Sequence, residues 1–145
     1  MISLNVAMAR VKRQRIEEFA HESYIKSEDI FDSIPFLQEF GEEQFLFGIF
    51  QSEIRWTAIS TNFLFSMVDG AFCRLQIDSE TDLLFEFFGY DGVDFTADVQ
   101  LKDGRKFWFK SADLSSLCLN ILLMLKSIPC GTRLKENKTP NKPIK

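Results

Sequence analysis

The sequence contains a single histidine, His21, and this scarcity excludes much of the chemistry that enzymes use. A Ser-His or Cys-His nucleophile needs an imidazole beside it, and the common zinc sites need clustered His and Cys. His21 lies among Glu17, Glu18 and Glu22, which is typical of a solvated helical surface. We therefore expect no nucleophilic triad and no metal site.

Cysteines are also few, and their spacing fits no zinc or CxxC pattern: Cys73, Cys118 and Cys130. Free cysteine usually packs as a small hydrophobe, so we expect reduced, partly buried thiols. No apolar run approaches the roughly 18 residues that a membrane span needs. Residues 1–15 place basic residues after apolar ones, the reverse of a secretory signal. These absences predict a cytoplasmic protein.

Phosphate-binding loops are missing as well, since neither GxGxxG nor GxxxxGK occurs. Carboxylates are numerous between residues 78 and 98, yet they fall in turns or on polar strand sides, as solvated charges usually do. Aromatic residues are frequent but are not interleaved with basic ones, as RNA recognition would require. We expect neither an enzyme nor a cofactor.

Charge is unevenly distributed along the 145 residues. Residues 1–26 carry five Lys/Arg and three Glu, a net +2, and residues 130–145 carry five Lys/Arg and one Glu, a net +4. Residues 27–129 carry seven basic and seventeen acidic residues, a net −10. An acidic body repels nucleic acid and attracts a basic protein partner, although acidic surfaces also serve solubility alone.

Residues 1–40 read as a helical segment packed on the domain. Apolar residues recur at helical spacing from Leu4 to Tyr24, with a basic cluster between Arg10 and Arg15. Such a helix can lie on a membrane or contact a partner, but it more often packs on its own domain. A second, short helix is predicted with Ser27 as N-cap, ending before Pro35.

The middle of the sequence shows seven short strand signals separated by turn residues. They are Gln44–Gln51, Arg55–Ser60, Asn62–Val68, Ala71–Ile77, Leu83–Phe88, Phe95–Leu101 and Lys106–Lys110. Asp69-Gly70 is a strong hairpin signal, because a type I′ turn needs positive φ at both central residues. Short sequential strands with tight turns predict an α+β fold with an antiparallel meander that curls on itself.

The apolar stripe of a C-terminal helix begins after Ser111 or Asp113 and extends to Ile128. The stripe is wider than one helix face, so this helix should cover the open end of a barrel or meet a second copy of the chain. Residues 130–145 are rich in Lys, Asn and Pro, which predicts a disordered basic tail.

The last two strands suggest a contact anchor at Trp108. A three-residue loop with Gly104 as a G1 bulge pairs Val99 with Phe107, because that register buries two Phe rather than one Trp. Trp108 then faces outward, unless the N-terminal helix covers it. The flanking side chains are Lys106, Lys110 and Asp98.

Two passages carry a family resemblance: residues 55–65 (RWTAISTNFLF) and 99–109 (VQLKDGRKFWF). They resemble the second-to-third strand passage and the last hairpin of pleckstrin-homology-like (PH-like) domains, and more narrowly the bacterial PH-like and GRAM-like domains. The resemblance implies a PH-like barrel or strongly curled sheet of six to seven strands with a covering C-terminal helix, over residues 41–129. Lipid-binding members hold inositol phosphates with basic residues at the first hairpin; here Glu53 and Arg55 are the only charges there.

We therefore expect a non-catalytic protein-binding module, most concretely an immunity- or antitoxin-like protein that neutralises a basic partner. The alternative is a PH-like module that docks on membranes or phospholipids through the basic N-terminal helix and tail. We expect no nucleic-acid partner, consider membrane binding the weaker option, and predict possible homo-oligomers through the C-terminal helix. The candidate contact residues are Trp108, Lys106, Lys110, Asp98, Glu80, Asp82, Glu86, Asp91 and Asp94.

Overall fold

A computed structural model describes residues 4–89 and 95–126 of the chain. The helices are α1 (Leu4–Arg13), α2 (Ile16–Ala20), α3 (Ile30–Ser33), α4 (Ile77–Phe88) and α5 (Ala112–Lys126). The strands are β1 (Tyr24–Lys26), β2 (Phe45–Ser52), β3 (Arg55–Ser60), β4 (Phe63–Val68), β5 (Ala71–Gln76), β6 (Asp98–Gln100) and β7 (Lys106–Trp108). Single 3-10 turns or short 3-10 helices cover His21–Ser23, Ser27–Asp29 and Pro35–Phe40.

The main sheet is an antiparallel meander in the order β1-β2-β3-β4-β5. It confirms the first four predicted strands and the α+β class. The Asp69-Gly70 hairpin turn is confirmed too, since Asp69 has φ 52 and Gly70 has φ 85. Strand β1 lay outside the prediction, because three residues are too few to show a strand period. Strands β1 and β5 form the two edges, so the described residues make an open sheet, and β6 and β7 form a separate pair.

The predicted strand Leu83–Phe88 is wrong, because these residues end helix α4. The buried side chains of α4 are Ile77, Thr81, Leu84 and Phe88, which are spaced by three or four residues and so share one helix face. Acidic residues in the first turn favour a helix start, and Gly89 with φ 83 ends the helix. The aromatic run before Gly89 resembles a strand because it is too short to show the helical period. That period becomes visible only when the earlier residues of α4 are included.

The predicted helix from Leu4 to Tyr24 is interrupted at Arg15, which has φ 62. Ala7 and Val11 are four residues apart, but Ile16 follows Val11 by five. All three side chains are buried. A continuous helix would rotate Ile16 away from the core, so the break restores its burial. The predicted N-cap at Ser27 is wrong, because Ser27 is the first residue of a 3-10 turn whose N-cap is Lys26, and Lys26 forms no side-chain capping bond. Helix α3 ends before Pro35, as predicted.

Both faces of the main sheet are covered, and each face has its own hydrophobic cluster. Alternate residues of β3 divide between them: Trp56 and Ala58 face the cluster under α3 and the 3-10 helix Pro35–Phe40. Ile59 belongs to the other cluster, with the remaining helices and the β6–β7 hairpin. This double coverage explains why β3 is buried at five consecutive positions.

Helix α5 confirms the C-terminal helix, and the N–H of Leu114 donates to the Ser111 hydroxyl at 3.1 Å, as expected of its cap. Its apolar sides pack against α1, α2 and α4 of the same chain. The wide stripe that suggested self-association is therefore covered within one molecule. Residues 127–145, including the predicted tail, lie outside the described residues. None of the described helices is long and apolar enough to cross a membrane.

The β6–β7 hairpin has the predicted register, with Val99 opposite Phe107, but Trp108 is only 3% exposed. The N–H and C=O of Phe107 point toward β6. Because this direction alternates along a strand, the N–H and C=O of Trp108 point away from β6. There the N–H donates to the Ser66 hydroxyl at 3.1 Å, and the C=O accepts from the Thr57 hydroxyl. The free edge of β7 therefore packs against the face of the main sheet that carries Thr57 and Ser66. The predicted outward Trp108 is wrong because neither face of this hairpin is left as a free surface at that position.

Candidate interaction surface

The predicted acidic residues on α4 divide between ion pairs and free surface. Glu80 accepts two hydrogen bonds from Arg105, at 3.1 and 3.0 Å, and a third from the N–H of Gln76 at 2.8 Å. Asp82 pairs with Lys126 at 2.6 Å. Glu86 is exposed and lines a groove of about 330 Å³ beside Phe87 and Gln100. Two of the three carboxylates therefore already have partners within the chain.

The ion pair with Arg105 and the Gln76 N–H hold the pKa of Glu80 below its ordinary value of 4.5. A lowered pKa in the folded state stabilises the protein above pH 4.5, and this contribution is lost as the pH falls and Glu80 is protonated. We expect Glu80→Gln to make the fall in unfolding free energy below pH 4.5 shallower, measured by urea denaturation at a series of pH values. Glu86→Gln is the matched control. An unchanged acid slope in Glu80→Gln would contradict this role.

The other predicted residues are dispersed. Lys110 donates through Nζ to the carbonyl of Ala20 at 3.1 Å, so its charge serves the end of α2. Lys106 and Asp98 are exposed and line a groove of about 430 Å³ that also includes Arg55. The guanidinium of Arg55 pairs with Asp69 there, so opposite charges balance along this groove. Asp91 and Asp94 lie outside the described residues.

A third concave region lies between α1, α2 and β1, with a volume of about 640 Å³. Its charged lining consists of Lys12, Arg15, Lys26, Glu17, Glu18 and Glu28. Burial, with Glu17 and Glu28 nearby, raises the pKa of Tyr24 to about 12, so its hydroxyl stays neutral. Balanced charge gives this groove no electrostatic preference for a cationic or an anionic partner.

Metal ligands do not cluster in the described residues, and the buried cysteine among them is held in its protonated form. Within residues 4–89 and 95–126, no group of three His, Cys, Asp or Glu side chains is placed to hold a metal ion. Burial raises the pKa of the Cys118 thiol, which keeps it protonated and unreactive. Cys73 is half-buried and free of disulfide bonds, and Cys130 lies outside the described part.

Residues 27–43 form a layer that covers one face of the main sheet. Negative charge is concentrated in this layer, here called the acidic layer. It contains six carboxylates and no Lys or Arg. Five of them are exposed: Glu28, Asp29, Asp32, Glu39 and Glu42. The described residues give none of these five an ion-pair partner. Glu43 is half-buried and accepts a hydrogen bond from Ser60 at 2.7 Å.

An aromatic side chain stands in this acidic layer. Phe36 is 39% exposed and its ring lies 4.7 Å from that of Phe72 and 5.9 Å from that of Trp56. Trp56 is fully buried, so the ring of Phe36 packs against an aromatic side chain that is held in the core. The apolar residues Ile30, Ile34 and Leu37 anchor the layer to the sheet. The layer that carries the unpaired carboxylates therefore also presents a large apolar side chain to solvent.

The sequence interpretation missed this surface because it averaged the charge over residues 27–129. A narrower window would have found it, since residues 27–54 contain seven acidic residues and no basic ones. Comparisons with protein families, with curated proteins and with solved structures give no match to this chain.

Proposed function

We propose that this chain is a non-catalytic protein-binding module that recognises a basic protein through the acidic layer. The observation that carries the proposal is that one layer presents five exposed carboxylates without ion-pair partners together with the exposed ring of Phe36. The most concrete form is an immunity- or antitoxin-like protein that neutralises a cationic partner. A PH-like relationship remains part of this proposal, supported by the antiparallel meander and by the C-terminal helix that packs on the same domain.

The physical roles of charge and ring differ. A patch of one sign steers an oppositely charged protein and raises the association rate by about 10- to 1000-fold at low salt. An aromatic residue that is already held in place loses little entropy on binding, which suits it as a contact anchor. The ring of Phe36 packs against that of Phe72, tilted by 49° with centroids 4.7 Å apart, so Phe36 meets this condition.

A charge-reversal experiment tests the surface. Glu28→Lys, Asp32→Lys and Glu39→Lys, combined, should slow association with a partner captured from the native host by about tenfold or more at low salt. The matched control is Glu17→Lys, Glu22→Lys and Asp113→Lys, which changes the net charge equally at exposed positions outside the layer. Surface plasmon resonance at increasing salt measures both rates.

Two results would contradict this function. Equal losses in both triple variants would mean that only net charge matters, and an affinity independent of salt would mean that charge does not steer the partner. Phe36→Ala adds a separate reading, because removal of an anchor speeds dissociation more than it slows association.

A membrane-docking role through α1 is the second proposal. Helix α1 exposes Val6 together with the basic residues of its last turn, Arg10, Lys12 and Arg13. Its apolar residues Ala7 and Val11 are already buried in the core, however, which leaves little apolar surface to insert. Flotation with vesicles that contain phosphatidylserine tests this role: co-flotation that is lost in Arg10→Glu, Lys12→Glu would support it.

A further inference from the structure

Strand β5 is an edge of the main sheet, so one side of its backbone has no neighbouring strand among the described residues. In an antiparallel ladder, a residue directs its N–H and C=O to the same side, and the next residue directs them to the other. The N–H of Ile77 donates inward, at 3.0 Å, to the carbonyl that precedes β4, whereas the N–H of Gln76 donates to the Glu80 carboxylate. By alternation, Phe72, Arg74 and Gln76 direct their backbone groups outward.

Side chains cover one half of this edge. Arg105 donates to the carbonyl of Arg74 at 2.8 Å while it pairs with Glu80, the acceptor of the Gln76 N–H. Asp103 holds the same guanidinium at 2.8 Å. These three side chains, Glu80, Asp103 and Arg105, form an edge cap that prevents a further strand from pairing at the Gln76 end.

The other half of the edge is open. Among the described residues, the N–H of Phe72 and the N–H of Arg74 donate to no partner, and the C=O of Phe72 accepts from none. Exposed strand edges are templates for pairing with another chain, and partner recognition by strand addition uses such groups. The open half therefore offers three backbone hydrogen-bonding groups beside a closed half.

The surroundings of the open half select the occupant. The ring of Phe72 packs against that of Phe36 in a tilted arrangement, with centroids 4.7 Å apart, so a strand added at Phe72 lies next to the aromatic side chain of the acidic layer. Glu39 belongs to the same 3-10 helix as Phe36. A second copy of this chain would bring one acidic layer against another, which like-charge repulsion opposes. An extended segment with basic side chains is instead attracted by the net charge of this layer, because its six carboxylates outnumber the single guanidinium of Arg74 that lies over the ring of Phe40.

We infer that the partner adds an extended, basic strand to the open half of the β5 edge, with an apolar side chain against Phe36 and Phe72. This inference rests on the proposed function and specifies how the acidic layer recognises its partner. Backbone hydrogen bonds would fix the direction and register of the segment, and the acidic layer would select its charge.

A short peptide of alternating Lys and Val serves as the probe, because it favours an extended strand and carries the required charge. The matched peptide replaces two Val with Pro, which keeps the charge but removes strand pairing. Amide hydrogen exchange followed by NMR should show at least about fivefold slower exchange at Phe72 and Arg74 with the alternating peptide only. Slowing confined to the acidic layer would overturn the inference and leave the charge-reversal test of the proposed function unaffected.

A pair of variants isolates the backbone donor. Arg74→Pro removes the outward N–H without breaking a bond to β4, and Arg74→Ala removes the same side chain but keeps the donor. We expect about tenfold weaker peptide binding by Arg74→Pro than by Arg74→Ala, measured by fluorescence anisotropy on variants with a cooperative unfolding transition. Equal binding by the two variants would overturn the inference, and the exchange measurement on the unmodified protein decides the question if Arg74→Pro does not fold.

Discussion

Replacement of Trp108 by alanine is expected to lower the free energy of unfolding by about 3–5 kcal/mol, the range for a large aromatic removed from a core. Trp108 is 3% exposed and belongs to the cluster that joins the hairpin to the helices. Its backbone is held by Thr57 and Ser66, so the chain cannot readily shift to fill the resulting cavity. Urea denaturation measures the loss. Phe87→Ala is the control, because Phe87 is 38% exposed and its removal should cost far less.

Fluorescence provides an independent reading of the same position. In a Trp56→Phe variant, Trp108 is the only tryptophan, and its burial predicts a blue-shifted emission maximum with little quenching by acrylamide. A red-shifted, readily quenched emission would show that Trp108 is in contact with water, and it would restore the outward contact anchor that the sequence suggested.

Gly48→Ala is expected to destabilise the protein by about 1–3 kcal/mol, as overpacking in a filled interior does. A β-carbon at Gly48 would lie 2.9 Å from Cδ1 of Ile30 and 3.3 Å from the carbonyl oxygen of Thr57. The Ile30 side chain can move, but the Thr57 carbonyl belongs to the central sheet. The close approach of α3 to β2 therefore depends on the absence of a side chain at Gly48.

Gly41→Ala is the matched control for that substitution. Gly41 has φ −61, which alanine adopts freely, and the nearest atom to an added β-carbon is 3.5 Å away. This variant should be neutral or more stable by about 0.4–1 kcal/mol, because alanine restricts the unfolded chain. Equal stability losses in the two variants would mean that Gly48 is not needed for close packing.

Local sequence signals were sufficient for much of the scaffold. The short apolar runs of β2 to β5, the Asp69-Gly70 turn and the Ser111 cap each involve residues that are close in sequence. The Val99–Phe107 register followed from the turn at Gly104, which has φ 96. Helix α4 was misread because its final aromatic run fits a strand as well as a helix. A short run of apolar residues does not distinguish the two periods.

The candidate surfaces depended on contacts between distant parts of the chain. Arg105 and Glu80 are 25 residues apart in sequence, so charge composition alone cannot show that this pair caps a strand edge. The acidic layer was visible as a run without basic residues, but only the sheet beneath it brings Phe36 onto Phe72.

The sequence by itself determined the α+β class, four strands of the meander, the hairpin register and the C-terminal helix, because turn chemistry and side-chain period act over a few residues. The tertiary structure alone decided which surfaces remain. Trp108 is buried because the free edge of β7 packs on the main sheet, where the hydroxyls of Thr57 and Ser66 form hydrogen bonds with the Trp108 backbone. The direction in which a hairpin packs is set by the hydrogen-bonding groups and apolar faces that other elements offer, and no local pattern specifies it.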